Sequence, residues 1–214
     1  MARWIGRENV RKRLEALDEG RTTYAAGAVT FETADETIVV RPPFGLSHEG
    51  SYDSIAVEPL LEELFRDRVV AAVLVRLGGF AVGVFEGERL VASKVGSRFV
   101  KGRHKKGGSS SGRFRRRREE QARALIDAAA ETAVRVLEPW RPKIEHAALG
   151  GDRRAIDSLL EDERLGWLAE KRVPRFFTTE DPRQRTLEHL PYDLYAAEVE
   201  ATSLESPGEQ GEQP

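Results

Sequence analysis

Residues 69–95, VVAAVLVRLGGFAVGVFEGERLVASKV, decide the fold. Val69 to Leu77 is a nearly unbroken apolar run, the pattern of a strand covered on both faces. Gly78-Gly79 then reads as a two-residue hairpin turn, where glycine takes positive φ without a Cβ penalty. Phe80 to Phe85 runs back, Glu86-Gly87-Glu88 turns again, and Leu90 to Val95 makes a third strand. The three strands predict an antiparallel meander. What leaves its far end is Lys101 to Gln121, KGRHKKGGSSSGRFRRRREEQ, a basic segment with glycines and serines at its centre.

Downstream, the pattern from Arg113 is helical for about 25 residues, roughly 37 Å by rise. Phe114, Leu125, Ala128, Ala129, Thr132, Ala133 and Val136 can share one face, and Pro139 and Pro142 end the helix. Its first turns, Arg113 to Arg123, are too polar to pack and are expected to project. Ile144 to Leu149 predicts another strand, broken by Gly150-Gly151. Helices are expected over Ala155–Glu161, Leu165–Lys171 and Arg183–Leu190, with a strand over Val173–Phe177. Upstream, residues 7–18 predict a short amphipathic helix with Val10, Leu14 and Leu17 on one side. Thr22–Phe31 and Thr37–Arg41 read as strands, Phe44–Ala56 as a loop, and Val57–Arg66 as a helix. The order β-β-β-α-β-α-β around the opening stretch predicts an α/β fold, a mixed sheet flanked by helices in an RNase H-like arrangement. We therefore expect a small α+β element over residues 1–55, the main domain over 56–200, and a disordered acidic tail over 201–214.

The chain has 214 residues, enough for a proper core, and its Lys+Arg 34 against Asp+Glu 36 leave a net charge of −2. Total charge thus says nothing about polyanions, whereas its distribution does. After Arg185 there is no Lys or Arg, while the positive charge gathers between Lys101 and Arg118. Cysteine is absent, which excludes disulfides, thiolate metal sites and a cysteine nucleophile. His48, His104, His146 and His189 show no metal-ligand spacing, so no metal and no cofactor is expected. No apolar run reaches the length of a membrane span or signal peptide, and a cytoplasmic monomer is the expectation. Trp4, Trp140 and Trp167 are read as packing residues.

Two properties of the basic segment are chemically distinct. Lys101, Arg103, His104, Lys105, Lys106, Arg113 and Arg115, Arg116, Arg117 and Arg118 can hold phosphates, arginine by its bidentate fork and lysine as a point charge. Gly107, Gly108, Ser109, Ser110, Ser111 and Gly112 carry no apolar side chain, so backbone N–H groups there can approach a carbonyl or phosphate oxygen closely. Neither G-x-x-x-x-G-K-[ST] nor G-x-G-x-x-G occurs, so a nucleotide-binding fold is not supported.

Gly102-Arg103, Gly107-Gly108, Arg113-Phe114 and the arginines that follow resemble the G-R-x-x-x-G-G-Q-S-x-x-R-F signature in the central domain of eukaryotic and archaeal class I peptide-chain release factors. Val84 to Gly96 and Ala148-Leu149-Gly150-Gly151-Asp152 resemble the same domain. Within it, the chain looks most like the Vms-like release factors of actinobacteria. The resemblance spans about residues 57–190 and implies an RNase H-like fold. It also implies peptidyl-tRNA ester hydrolysis, with the ribosomal large subunit at its peptidyl-transferase centre and peptidyl-tRNA as partners. Gly107, Gly108, Ser109, Ser110 and Ser111 would form the catalytic tip, and the flanking cations would bind RNA. The family's water-positioning glutamine falls at Ser109 in release factors and at Ser111 in the Vms-like branch. Three expectations follow: a hydrolase acting in translation rescue, a ribosome- and tRNA-binding rescue factor without hydrolysis, or a general RNA-binding domain.

Overall fold

The computed structural model describes residues 2–97 and 111–203, with side chains in its longest helix from residue 116 onward. In chain order the elements are β1 (Arg3–Ile5), α1 (Arg7–Leu14), β2 (Arg21–Ala25), β3 (Ala28–Glu32), β4 (Glu36–Arg41), β5 (Gly50–Tyr52) and α2 (Glu58–Phe65). There follow β6 (Val69–Arg76), β7 (Gly79–Glu86), β8 (Arg89–Ser97), α3 (Ser111–Leu137), β9 (His146–Gly151), α4 (Arg153–Leu160), α5 (Trp167–Glu170), α6 (Gln184–Leu194) and β10 (Ala197–Ser203). The fold is mixed α/β with two sheets and flanking helices. The chain divides into two compact units, one from Asp67 to Pro191, the other made of the chain up to Arg66 joined by the segment from Tyr192.

In the Asp67–Pro191 unit the expected meander is present, and the sheet has the order β8-β7-β6-β9. Neighbours are antiparallel except β6 and β9, which run parallel from Val70↔His146 to Val75↔Gly151. Alternation along the strands assigns the two faces. Ala71, Val73, Val75, Phe80, Val82 and Val84 share a core with Leu125, Ala129, Ala133 and Leu137 of α3 and with Ile156 and Leu159 of α4. On the other face, a Cβ on Gly83 would stand 3.4 Å from Leu187 Cδ1 of α6. Burial on both faces explains the unbroken apolar run.

Several boundaries differ from expectation. Arg76 pairs with Gly79, so the hairpin turn is Leu77-Gly78, with Gly78 at φ 106, and Gly79 already belongs to β7. A register shift between Val84 and Phe85 accommodates an extra β8 residue. Instead of a full strand over Val173–Phe177 there are two parallel bridges, Ala147↔Arg172 just before it and Gly150↔Phe177 at its end. Pro174 has no N–H to give a ladder there. α6 continues through Pro191 to Leu194.

The other unit is an antiparallel sheet in the order β1-β10-β4-β3-β2-β5. Val10 and Leu14 of α1, with Leu60 and Leu64 of α2, cover Tyr24, Val29, Phe31, Ile38, Val40, Ala197 and Val199. The expected strand over Thr22–Phe31 is split by a hairpin at Ala26-Gly27, φ 51 and 73, the double positive φ of a type I′ turn. The expected division at residue 55 is not the observed one, because residues 1–55 hold too little apolar surface to close a core. α2 and β10 complete it. Nor does the tail begin at 201, since Ala201, Thr202 and Ser203 pair with Ile38, Thr37 and Glu36. Residues 204–214 lie outside the described residues. Trp140 and Trp167 pack against the α3 core as expected, whereas Trp4 is 42% exposed.

Candidate nucleic-acid interface

Strand direction sets where the basic segment leaves the fold. β7 runs antiparallel to β6 and β8, and β9 runs parallel to β6. β6, β8 and β9 therefore all finish at one end of the sheet, where Arg76 pairs with Gly79 and Gly79 with Ser97. Ser97 is the residue from which the chain leads into the basic segment. Lys101, Arg103, His104, Lys105, Lys106, Gly107, Gly108, Ser109 and Ser110 lie outside the described residues. Ser111 opens α3, and Arg113 and Arg115 belong to its first turns.

In α3 the expectation of a projecting start can be followed only from residue 116. Leu125 is the first buried residue among those described, while Arg116 and Arg117 are exposed and Arg118 half-exposed. Seven to nine residues separate those arginines from Leu125, about 10–14 Å by helical rise. The body of the helix is anchored: Arg164 donates from Nη2 to Glu131 Oε1 of α3 at 2.6 Å and to Asp162 Oδ2 at 2.7 Å. Those bonds to Arg164 hold the Asp162 carboxyl below its usual range, and the guanidinium is pushed up in turn.

Two glycine positions make the sheet end possible. A Cβ on Gly151, at φ 98, would lie 2.0 Å from Val75 O, and one on Gly150 would lie 2.1 Å from Phe177 O. Gly150-Gly151, expected only to break a strand, is where three backbones converge. Asp152 N then donates to Val75 O at 2.7 Å, and the Asp152 carboxylate caps α4 by accepting from Ala155 N at 3.2 Å. At the loop base, a Cβ on Gly96 would meet Phe80 Cζ at 2.3 Å, so the ring lies directly on that glycine.

The same end gathers arginines that sequence reading did not single out. Arg76 Nη1 donates to Thr179 O at 2.8 Å, and the Arg153 guanidinium sits 4.3 Å from the Phe176 ring centroid. Arg154 follows, exposed, in the first turn of α4. The segment after Phe177 passes Arg76 at Thr179, lies near Gly79 at Pro182, and reaches β8 where Ser93 Oγ donates to Gln184 Oε1 at 3.1 Å. Parallel pairing of β6 with β9 brings Arg76 to Arg153, and that pairing has no local sequence signal.

Of the histidines, His48 bonds Tyr52 Oη at 2.8 Å, His146 lies 3.5 Å from Arg68 Nη1, and His189 is exposed on α6. Among the described residues no group of His, Asp and Glu could hold a metal ion, and no helix is long and apolar enough to cross a membrane.

Comparison with known proteins places these features. Residues 68–200 match the family described as Actinobacteria/chloroflexi VLRF1 release factor. Peptide chain release factor subunit 1 of Archaeoglobus fulgidus is 27% identical over 121 residues, 56% of this chain and 30% of that protein. The chain thus spans less than a third of this curated relative. Among solved structures, the archaeal translation termination factor aRF1 aligns at 16% identity and TM-score 0.45, over 88% of this chain and 54% of that one. A structure described as "Archaeal protein" aligns at 16% identity and TM-score 0.32, over 86% and 51%. With more than half of its length matched by one family, the chain belongs to the Actinobacteria/chloroflexi VLRF1 release factors.

Proposed function

We propose that this protein hydrolyses the ester of peptidyl-tRNA on stalled ribosomes or free large subunits, as a cytoplasmic rescue factor. The observation that carries the reading is the setting of the basic segment. In a release-factor family member, it joins Ser97, at one end of a sheet, to a helix whose exposed Arg116 and Arg117 and half-exposed Arg118 lie about 10–14 Å along the axis from buried Leu125. Gly107, Gly108, Ser109, Ser110 and Ser111 form the tip that meets the 3′ end of the tRNA. Lys101, Arg103, His104, Lys105, Lys106, Arg113 and Arg115 to Arg118 hold RNA phosphates in the large subunit.

Water attacks the ester carbonyl carbon, the bond to the ribose oxygen breaks, and that oxygen takes up a proton. The products are a free peptide carboxylate and a tRNA with its terminal hydroxyl restored. Backbone N–H groups at the tip stabilise the oxyanion as it develops, a role that does not require a glutamine side chain. The strand order β8-β7-β6-β9, extended in parallel by the bridges at Arg172 and Phe177, supports an RNase H-like assignment for this unit.

A second reading is favoured by one specific observation: after Gly107-Gly108 the chain carries Ser109, Ser110 and Ser111 and no glutamine before Gln121. On that reading the protein occupies the same site without hydrolysis. Release of labelled peptide from peptidyl-tRNA on large subunits separates the two. Release by the wild type that Gly108→Ala abolishes supports the hydrolase. An inert wild type, with robust release from Ser111→Gln, would leave the binding factor as the answer.

A further inference from the structure

We propose that the sheet end beside the loop base is a second anion-binding surface, on which Arg76, Arg153 and Arg154 hold the phosphodiester backbone of RNA. It is distinct from the cations of the loop and of α3. The choice of RNA as the polyanion rests on the release-factor reading above, while the affinity for phosphate rests on how Arg76 and Arg153 are held and on the exposure of Arg154 beside them.

Several other arginines in the Asp67–Pro191 unit sit against carboxylates. Arg68 faces Glu145, Arg89 faces Glu86, Arg141 faces Glu138, and Arg164 faces Glu131 and Asp162. Among the described residues, Arg76, Arg153 and Arg154 form no ion pair. Arg76 is fixed by a neutral carbonyl and Arg153 by a ring face. Both partners restrict the guanidinium without cancelling its charge, so less side-chain freedom is lost when an anion binds. Nearby acids compete weakly. Asp152 already caps α4, Asp181 pairs with Arg183, and Glu180 is solvated.

Register gives the spacing. Gly151 pairs with Val75 and Arg153 lies two residues on, so the Arg76 and Arg153 backbones are within about 10 Å of each other. Ser97, where the chain leads into the loop, lies two strands from Arg76, again about 10 Å away. An RNA strand that reaches the sheet end at Ser97 passes beside these arginines, whose planar forks suit phosphate oxygens bidentately.

The test uses the full chain with Arg76→Gln, Arg153→Gln and Arg154→Gln combined, and a matching triple Lys variant. Affinity is measured across a salt series for vacant large ribosomal subunits and, separately, for deacylated tRNA. Losing three phosphate contacts should make the log–log salt slope shallower by about 2 and weaken low-salt binding at least about tenfold, whereas the Lys triple should keep the wild-type slope. A change confined to subunits identifies ribosomal RNA as the source, and one confined to tRNA identifies tRNA. Unchanged slopes on both, with melting temperature preserved, overturn the proposal. So does an equal loss of binding to the isolated, RNA-free proteins of the large subunit, which would indicate an acidic protein. Peptide release at saturating protein is read alongside. A wild type with no release defeats the hydrolase reading and leaves the slope result standing. Normal release with unchanged slopes defeats this surface alone.

Discussion

Gly151 and Gly78 both have positive φ, 98 and 106, yet they answer to different physics. Nothing lies within 4 Å of a Cβ on Gly78, while one on Gly151 would be 2.0 Å from Val75 O. Gly78→Ala should therefore cost only backbone strain, about 1 kcal/mol. Gly151→Ala adds a backbone clash inside the parallel ladder and should cost about 3 kcal/mol or more. Denaturant unfolding of the two variants checks this, and equal midpoints would refute it. Tyr24 offers a pH test in the other unit. Burial pushes its phenol up to about 12, and the hydroxyl donates to Ala56 O at 2.6 Å. A folded pKa above the unfolded value near 10 means full stability below about pH 10 and loss as pH rises through 12. An ultraviolet alkaline titration should show a late tyrosine ionisation coincident with unfolding. Tyr24→Phe should remove that late step. Loss of the late step in wild type would contradict the assignment.

Along α3, anchoring and reach belong to different turns. Leu125→Ala should destabilise by about 2–5 kcal/mol, because it empties a buried position in the core that α3 shares with the sheet. Replacing Arg116, Arg117 and Arg118 with Ala should leave stability within about 0.5 kcal/mol while flattening the salt dependence of large-subunit binding. Thermal melts and salt titrations on the same two proteins read both effects, and an Arg variant that melts early would mean those turns are packed after all. The buried stripe of this helix is legible because a 3.6-residue period survives in sequence. Registers are less so: Leu77-Gly78 looks like Gly78-Gly79, since two adjacent glycines offer the same permissive φ. The Ala26-Gly27 hairpin is hidden because alanine at positive φ carries no turn signal. Cations of the loop announce themselves by density, but Arg76, Arg153 and Arg154 become neighbours only through a pairing between distant strands. β10 escapes notice because its alternation, Ala197, Val199 and Ala201 against Glu198 and Glu200, resembles an acidic linker.

That last strand decides how the whole chain is organised. A reading by contiguous segments assigns residues 192–200 to the main domain, yet their antiparallel pairing with β1 and β4 puts them in the other unit's sheet. Ala197 and Val199 contribute to the core that Val40 and Ile38 share with Leu60 and Leu64. Truncation after Pro191 would strip both from that core and leave β4 and β1 with unpaired edges, exposing apolar side chains and backbone groups together. The Asp67–Pro191 unit keeps its own sheet and its α3 and α4 cores without them. Hydrogen exchange should then show lost protection across β3, β4 and α1 in the truncated chain, with β6 and β7 still slow. Retained protection in β4 would mean that the N-terminal segment closes a core unaided. Uniform loss across β6 and β7 would mean that the two units fold as one. The truncated chain also tests function, because the loop base, Arg76 and Arg153 all belong to the unit that remains. Salt-dependent binding to large subunits should persist after truncation, and its disappearance alongside intact β6 and β7 protection would move part of the RNA interface to the unit that β10 completes.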